Sequence, residues 1–107
     1  MLLGIDHIVL AVDDPDVAAA AIEQDLGLHP AGGGRHEAQG TFNRLVWLGD
    51  SYLELIGVFD RELAARSWIG PAVLAALERG GGLATWAIAV DDLDGQLRWL
   101  QIGRAHV

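Results

Sequence analysis

Two stretches of this chain, one near each end, follow nearly the same pattern. Ile8-Val9-Leu10-Ala11-Val12-Asp13-Asp14-Pro15-Asp16 is echoed by Trp86-Ala87-Ile88-Ala89-Val90-Asp91-Asp92-Leu93-Asp94. Each is an apolar, strand-forming run that ends in Asp-Asp and passes into a helix start. A segment used twice points to a fold assembled from copies of one unit, so the repeat comes before any other reading. Aligning Val12 with Val90 sets His7 against Thr85.

The chain between the echoes divides into short elements. Gly4 to Val12 reads as a strand. It leads into a helix with Asp14 as N-cap, Pro15 at the first helical position and Asp16 in the first turn. Val17, Ala18, Ala21, Ile22 and Leu26 give that helix one apolar stripe, and Gly27 ends it. Pro30 to Arg35, with Gly32-Gly33-Gly34, reads as flexible, holding a short second strand and a turn. Asn43–Leu48 and Ser51–Phe59 are strand-like, and the Gly49-Asp50 link between them predicts a tight antiparallel hairpin. After Asp60 the pattern turns helical, breaks at Gly70-Pro71, resumes over Ala72 to Arg79 and stops at Gly80-Gly81-Gly82. Leu83 to Val90 is a further strand, and Asp91-Asp92-Leu93-Asp94 opens a further helix.

The expected class is therefore α+β. Residues 4–59 form a β-α-β-β-β unit, 60–82 a helical connector and 83–100 the first β-α of a second, truncated unit. Residues 101–107, Gln-Ile-Gly-Arg-Ala-His-Val, read as the in-frame translation of a sequencing-library adapter and are expected to be a non-native tail. Neither Arg104 nor His106 is given a role.

Composition removes several function classes. The 107 residues include no cysteine, which excludes disulfides, thiolate metal sites and cysteine nucleophiles. A formal net charge of -8 repels phosphate backbones and argues against nucleic-acid binding. No apolar run approaches the roughly 18 residues of a membrane span, and the N-terminus lacks the basic flank of a signal peptide. The expectation is a soluble, cytoplasmic protein with a small-molecule substrate, no nucleic-acid partner and no membrane.

Three segments together carry a family resemblance. They are Gly4-Ile5-Asp6-His7-Ile8-Val9-Leu10-Ala11-Val12-Asp13-Asp14, then Gly33-Gly34-Arg35-His36 followed by Gly40-Thr41-Phe42-Asn43-Arg44-Leu45, and finally Tyr52-Leu53-Glu54-Leu55-Ile56. In order and spacing the set resembles the glyoxalase-like domains of the vicinal-oxygen-chelate superfamily, which includes glyoxalases, bleomycin resistance proteins and dioxygenases. The resemblance implies βαβββ modules, each a mixed, curved sheet with helices on one face, paired around a shared cup. It also implies a divalent metal in that cup, held by the first and last strands of each module and chelated by substrate oxygens.

Strand alternation can be tested against that picture. It places Ile5, His7, Val9 and Ala11 on one face of the first strand, and Asp6, Ile8, Leu10 and Val12 on the other. Tyr52, Glu54, Ile56 and Val58 share a face of the last module strand. If these strands are neighbours, as the resemblance implies, His7 and Glu54 project together. They are then the candidate metal ligands, with Glu54 also the candidate catalytic carboxylate. An imidazole and a carboxylate suit zinc, iron, manganese, nickel or cobalt. They are half a site, because a catalytic metal takes about three protein ligands. The plainer alternative is a strand histidine hydrogen-bonded to Glu54 or to backbone.

Arg35 and His36, placed after the glycines on a rim loop, are candidate substrate-binding residues, or simply solvated charges. Asn43 is a third such candidate, donating into the cup, or a strand-start cap. Trp47, Trp86 and Trp99 read as core or module-interface anchors. The glycine triplets lack dinucleotide-loop context, and Ser51 and Ser67 lack a nucleophile elbow.

Three functions follow as expectations. The first is a metal-dependent isomerase, lyase or dioxygenase, complete only in a longer protein. The second is a metal-free small-molecule binder or resistance-type protein, suggested by Thr85 at the His7-equivalent position. The third is an inactive half-domain that exposes its cup and pairs as a homodimer. Metal, substrate and reaction stay open at this point.

Overall fold

The computed structural model describes residues 2–90. The helix expected from Asp91, the rest of the 83–100 unit, Trp99 and the 101–107 tail lie outside the described residues. Eight elements follow in the order β1 (Leu2–Ala11), α1 (Pro15–Leu26), β2 (Pro30–His36), β3 (Thr41–Leu48), β4 (Ser51–Val58), α2 (Arg61–Arg66), α3 (Gly70–Glu78) and β5 (Gly82–Val90). The β-α-β-β-β order and the broken helical connector match the sequence reading. The strands form one mixed sheet in the order β2-β3-β4-β1-β5, with β4 parallel to β1 and the other pairs antiparallel.

Local chemistry accounts for the boundaries. The Asp14 carboxylate accepts from the Asp16 and Val17 amides, Pro15 opens α1, and Gly27 closes it in the left-handed region at φ 69°. Asp60 caps α2 through the Leu63 amide. The Gly49-Asp50 link joins β3 to β4, with Leu48 paired to Ser51.

One sequence expectation is corrected. Arg35 and His36 lie on β2 rather than on a rim loop, because Arg35 pairs with Phe42 and His36 with Thr41 along the ladder. Within the βαβββ unit the one helix, α1, covers one face of the sheet, as expected, and the connector covers the other. Helix α1 packs Ala19, Ala18 and Ile22 against Leu10, Leu53, Leu55 and Val46. On the opposite face α3 packs Val73 and Ala76 against Val9, Ala11 and Ile56. The alternation of β1 and β4 gives each face its own apolar row, and each row needs a cover. The connector helices supply the second cover and close one end of the cup.

The β1–β5 ribbon carries a local two-fold symmetry in its register. Gly4 lies opposite Ala89 and Ala11 opposite Gly82; Ile5 faces Ile88 and Leu10 faces Leu83; His7 faces Ala87 and Val9 faces Thr85. Under the Val12–Val90 alignment each pair turns into its mate, and Ile8–Trp86 lies on the axis. Two of the three irregularities obey the same symmetry. Asp6 is the extra residue of a bulge on β1 and Ala84, its counterpart, the extra residue on β5. The echo in the sequence is thus repeated in the pairing of the strands.

Candidate functional site

The cup face of β1, β4 and β5, closed at one end by the α2–α3 link, encloses a cavity of about 380 Å³. His7 projects into it from β1, and Tyr52, Glu54 and Ile56 from β4. The parallel register sets His7 beside Tyr52 and Val9 beside Glu54, so the side chains expected to share a face do so. His7 and Tyr52 stack nearly parallel, with ring centroids 4.6 Å apart and an interplanar angle of 5°.

The polar groups at the cavity floor form one chain of contacts. Asn43 Nδ2 donates to Glu54 Oε2 at 2.8 Å, while Asn43 Oδ1 accepts from the Gly34 amide at 3.0 Å. Glu54 Oε1 faces His7 Nε2 at 3.7 Å. His7 Nδ1 lies 2.7 Å from Asp6 Oδ2. An ionised carboxylate only accepts, so in this contact Nδ1 carries the proton. When the ring is neutral, its Nε2 is then an acceptor as well. In that form two lone pairs, on Nε2 and Oε1, converge on one region of the cup at a separation too long for a hydrogen bond. Such an arrangement suits an electrophile between them, whether a proton, a donor on a ligand or a metal ion.

Tyr52 completes the floor. Burial, then the carboxylates of Glu54 and Asp6, raise its phenol above the ordinary value of 10.0, so it stays neutral at physiological pH. His36 also reaches the cavity, with Nδ1 2.8 Å from the hydroxyl of the buried Thr41. Gln39 lines it from the β2–β3 turn, as do Trp68 and Ile69 from the α2–α3 link and Thr85 from β5.

The candidates thus separate into three places. His7, Glu54 and His36 share the cavity. Asn43 stands behind Glu54 rather than on the wall, holding one of its oxygens. Arg35 is directed elsewhere: its guanidinium lies 3.6 Å above the Phe59 ring, its Nε donates to Glu37, and it borders a shallow groove with Gly32–Gly34 and Arg44. Trp47 and Trp86 are 47% and 58% exposed, so neither is a core anchor within the described residues. Trp86 borders the cavity and Trp47 tilts against Tyr52.

Asp6, Gln39 and Trp68 were not singled out from the sequence. Alternation put Asp6 on the face opposite His7, and only the bulge reverses that. Trp68 was more legible, since an aromatic residue at the helix break before Gly70-Pro71 has nothing local to pack on, and it is 81% exposed.

A metal ion would find two donors of suitable type in His7 Nε2 and Glu54 Oε1. The two atoms lie 3.7 Å apart and face the same region of the cup. Among the described residues no group of three or more His, Asp or Glu is arranged to hold one. The donor set therefore fits as half of a catalytic site. Among the described residues no helix is long and apolar enough to cross a membrane.

A family model described as a glyoxalase-like domain matches residues 5–101. Comparison with curated proteins finds no match. Among solved structures the chain is similar to methylmalonyl-CoA epimerase from Mycobacterium tuberculosis, with 25% identity and a TM-score of 0.73. That alignment covers 95% of this chain and 65% of the epimerase, so the chain spans about two thirds of that relative's length. A variant of the Streptomyces coelicolor methylmalonyl-CoA epimerase in complex with 2-nitronate-propionyl-CoA is similar at 22% identity and TM-score 0.75, over 96% of this chain and 73% of that one. A hypothetical protein of Bacillus halodurans is similar at 22% identity and TM-score 0.73, over 92% and 67%.

Proposed function

The chain belongs to the glyoxalase-like domain family, within the vicinal-oxygen-chelate superfamily, and from that premise we propose that it carries the His7–Glu54 half of a metal-dependent small-molecule site of isomerase type. The observation that carries this reading is the convergence of Nε2 and Oε1 on one region of the cup, with Asn43 leaving Oε1 free. The ion would be zinc, iron, manganese, nickel or cobalt. When bound there, such an ion supplies Lewis-acid polarisation of a substrate carbonyl.

The chain's own residues do the rest. His7 and Glu54 would hold the ion, as two of the about three protein ligands that a catalytic metal takes. Glu54 is the only carboxylate on the cavity wall among the described residues, so it is also the group to which a proton next to a bound carbonyl would pass. Asn43 keeps that carboxylate in place, and Tyr52 stays a neutral donor. His36 is the candidate substrate contact on the far wall. Arg35 would meet a substrate only at the outer groove. Two of the similar solved structures are methylmalonyl-CoA epimerases. We extend to this chain the class of substrate, a carbonyl compound with an acidic neighbouring proton, a CoA thioester among the candidates.

We also propose that β5 opens a second module related to the first by the β1–β5 symmetry. In support, Leu83 is exposed and pairs with Leu10, which lies on the face that α1 covers, where the symmetry would set a second such helix. The pairing along β1–β5 is then the module partnership that the resemblance implies.

Calorimetric titration with zinc, nickel and manganese tests the metal. Binding by the native protein, lost in His7→Ala, is the expected result; equal binding by both would overturn the assignment. The reaction is tested by deuterium incorporation from solvent into propionyl-CoA. Glu54→Gln is expected to slow it by about 100-fold or more. Thr85 at the position related to His7 favours a second reading, a metal-free binding cup. Failure of all three metals to bind the native protein would select it.

A further inference from the structure

We propose that Asp6 is a positioning residue of this site: it holds the His7 proton on Nδ1 and so presents the Nε2 lone pair to Glu54 and the cup. The metal-site reading above gives this role its purpose, while the geometry stands apart from it. Successive residues of a regular strand point to opposite faces, so an Asp-His dipeptide in β1 would ordinarily keep its carboxylate from its imidazole. The bulge at Asp6 removes that obstacle, because two residues of β1 then stand where β5 has one. The carboxylate swings beside the ring and accepts from Nδ1 at 2.7 Å, in the range of a charge-assisted bond.

A second contact fixes what the first leaves free. The Asp6 bond sets which edge of the imidazole faces the cup, and the Tyr52 stack at 5° sets the plane of the ring. Held on both counts, His7 Nε2 points at Glu54 without a hydrogen bond between them. A carboxylate behind a ligating imidazole also raises its basicity.

The symmetry of the ribbon shows that the bulge alone does not require this pair. The related bulge on β5 carries Ala84 in place of Asp6 and Thr85 in place of His7. The backbone device occurs twice and the polar pair once. Asp6 is therefore not needed to make the bulge, and it accompanies the one strand that has a histidine to orient.

The test is nitrogen NMR on metal-free, histidine-labelled protein at a pH of about 8, where an ordinary imidazole is neutral. The native chain is expected to show His7 protonated on Nδ1. In Asp6→Asn the side-chain amide can donate to Nδ1, which moves the ring proton to Nε2, and zinc affinity by calorimetry should fall about 10- to 100-fold. Asp6→Ser, which accepts weakly, should give a mixture of tautomers and an intermediate affinity. Asp6 is half-exposed, and matching circular dichroism melts would show that the variants fold. A native His7 already protonated on Nε2, or an Asp6→Asn variant with unchanged tautomer and zinc affinity, would overturn the role of Asp6 and leave the metal reading standing. A tautomer shift in a protein that binds no zinc would uphold Asp6 and overturn the metal reading instead.

Discussion

Glu54 is 15% exposed in its side chain, and a carboxylate so placed needs partners for both oxygens. Asn43 supplies one. Asn43→Leu should therefore loosen Glu54 and lower activity through the catalytic rate more than through substrate affinity; unchanged steady-state constants would show that the bond is idle. Tyr52 gives a stability signature. Its phenol is raised first by burial and then by Glu54 and Asp6, so the folded chain keeps that proton to higher pH than the unfolded chain. The stabilisation is complete below the unfolded value of about 10 and is lost as pH rises through the folded one. Urea midpoints should fall in this alkaline window, and Tyr52→Phe should remove part of the fall. Equal alkaline limbs for the two proteins would refute the link.

The α2–α3 link is the element on which the shape of the cup depends. Ser67 Oγ donates to the Ala64 carbonyl and accepts from the Gly70 amide, folding the chain back so that Trp68 and Ile69 reach the cavity. Gly70 is buried against Ala64, and an added Cβ would run into the Ala64 carbonyl. Gly70→Ala should cost about 3 kcal/mol in chemical denaturation. Gly34→Ala, where a Cβ meets nothing within 4 Å, should change stability by less than about 0.5 kcal/mol. Similar losses at both positions would mean that the link is not the tight contact described. At α1, Asp14→Ala removes the acceptor for two amides and should cost about 1 kcal/mol.

At the scale of the molecule, a formal charge of -8 sets a field that repels itself and attracts cations. Added sodium chloride should raise the melting temperature at pH 7 by screening that repulsion; a fall would point to net stabilising ion pairs instead. The Arg44–Asp16 pair, which ties β3 to α1, is exposed and too weakly held to reverse the trend.

Much of the architecture was legible in the order of residues. Asp14, Pro15 and Gly27 marked the ends of α1, Gly49-Asp50 marked the hairpin, and period-two alternation put His7 and Glu54 on faces that could meet. These are local signals, each set by the conformational preference of a few neighbouring residues. The carboxylate that accepts from His7, the second helical cover and the direction of Arg35 were not legible. Each depends on a relation between strands, because a bulge shifts Asp6 relative to β5, α3 returns over an apolar row, and Phe59 draws the guanidinium aside. A chain records its strand periods in its own residues, whereas one extra residue in a ladder has meaning only against the strand beside it.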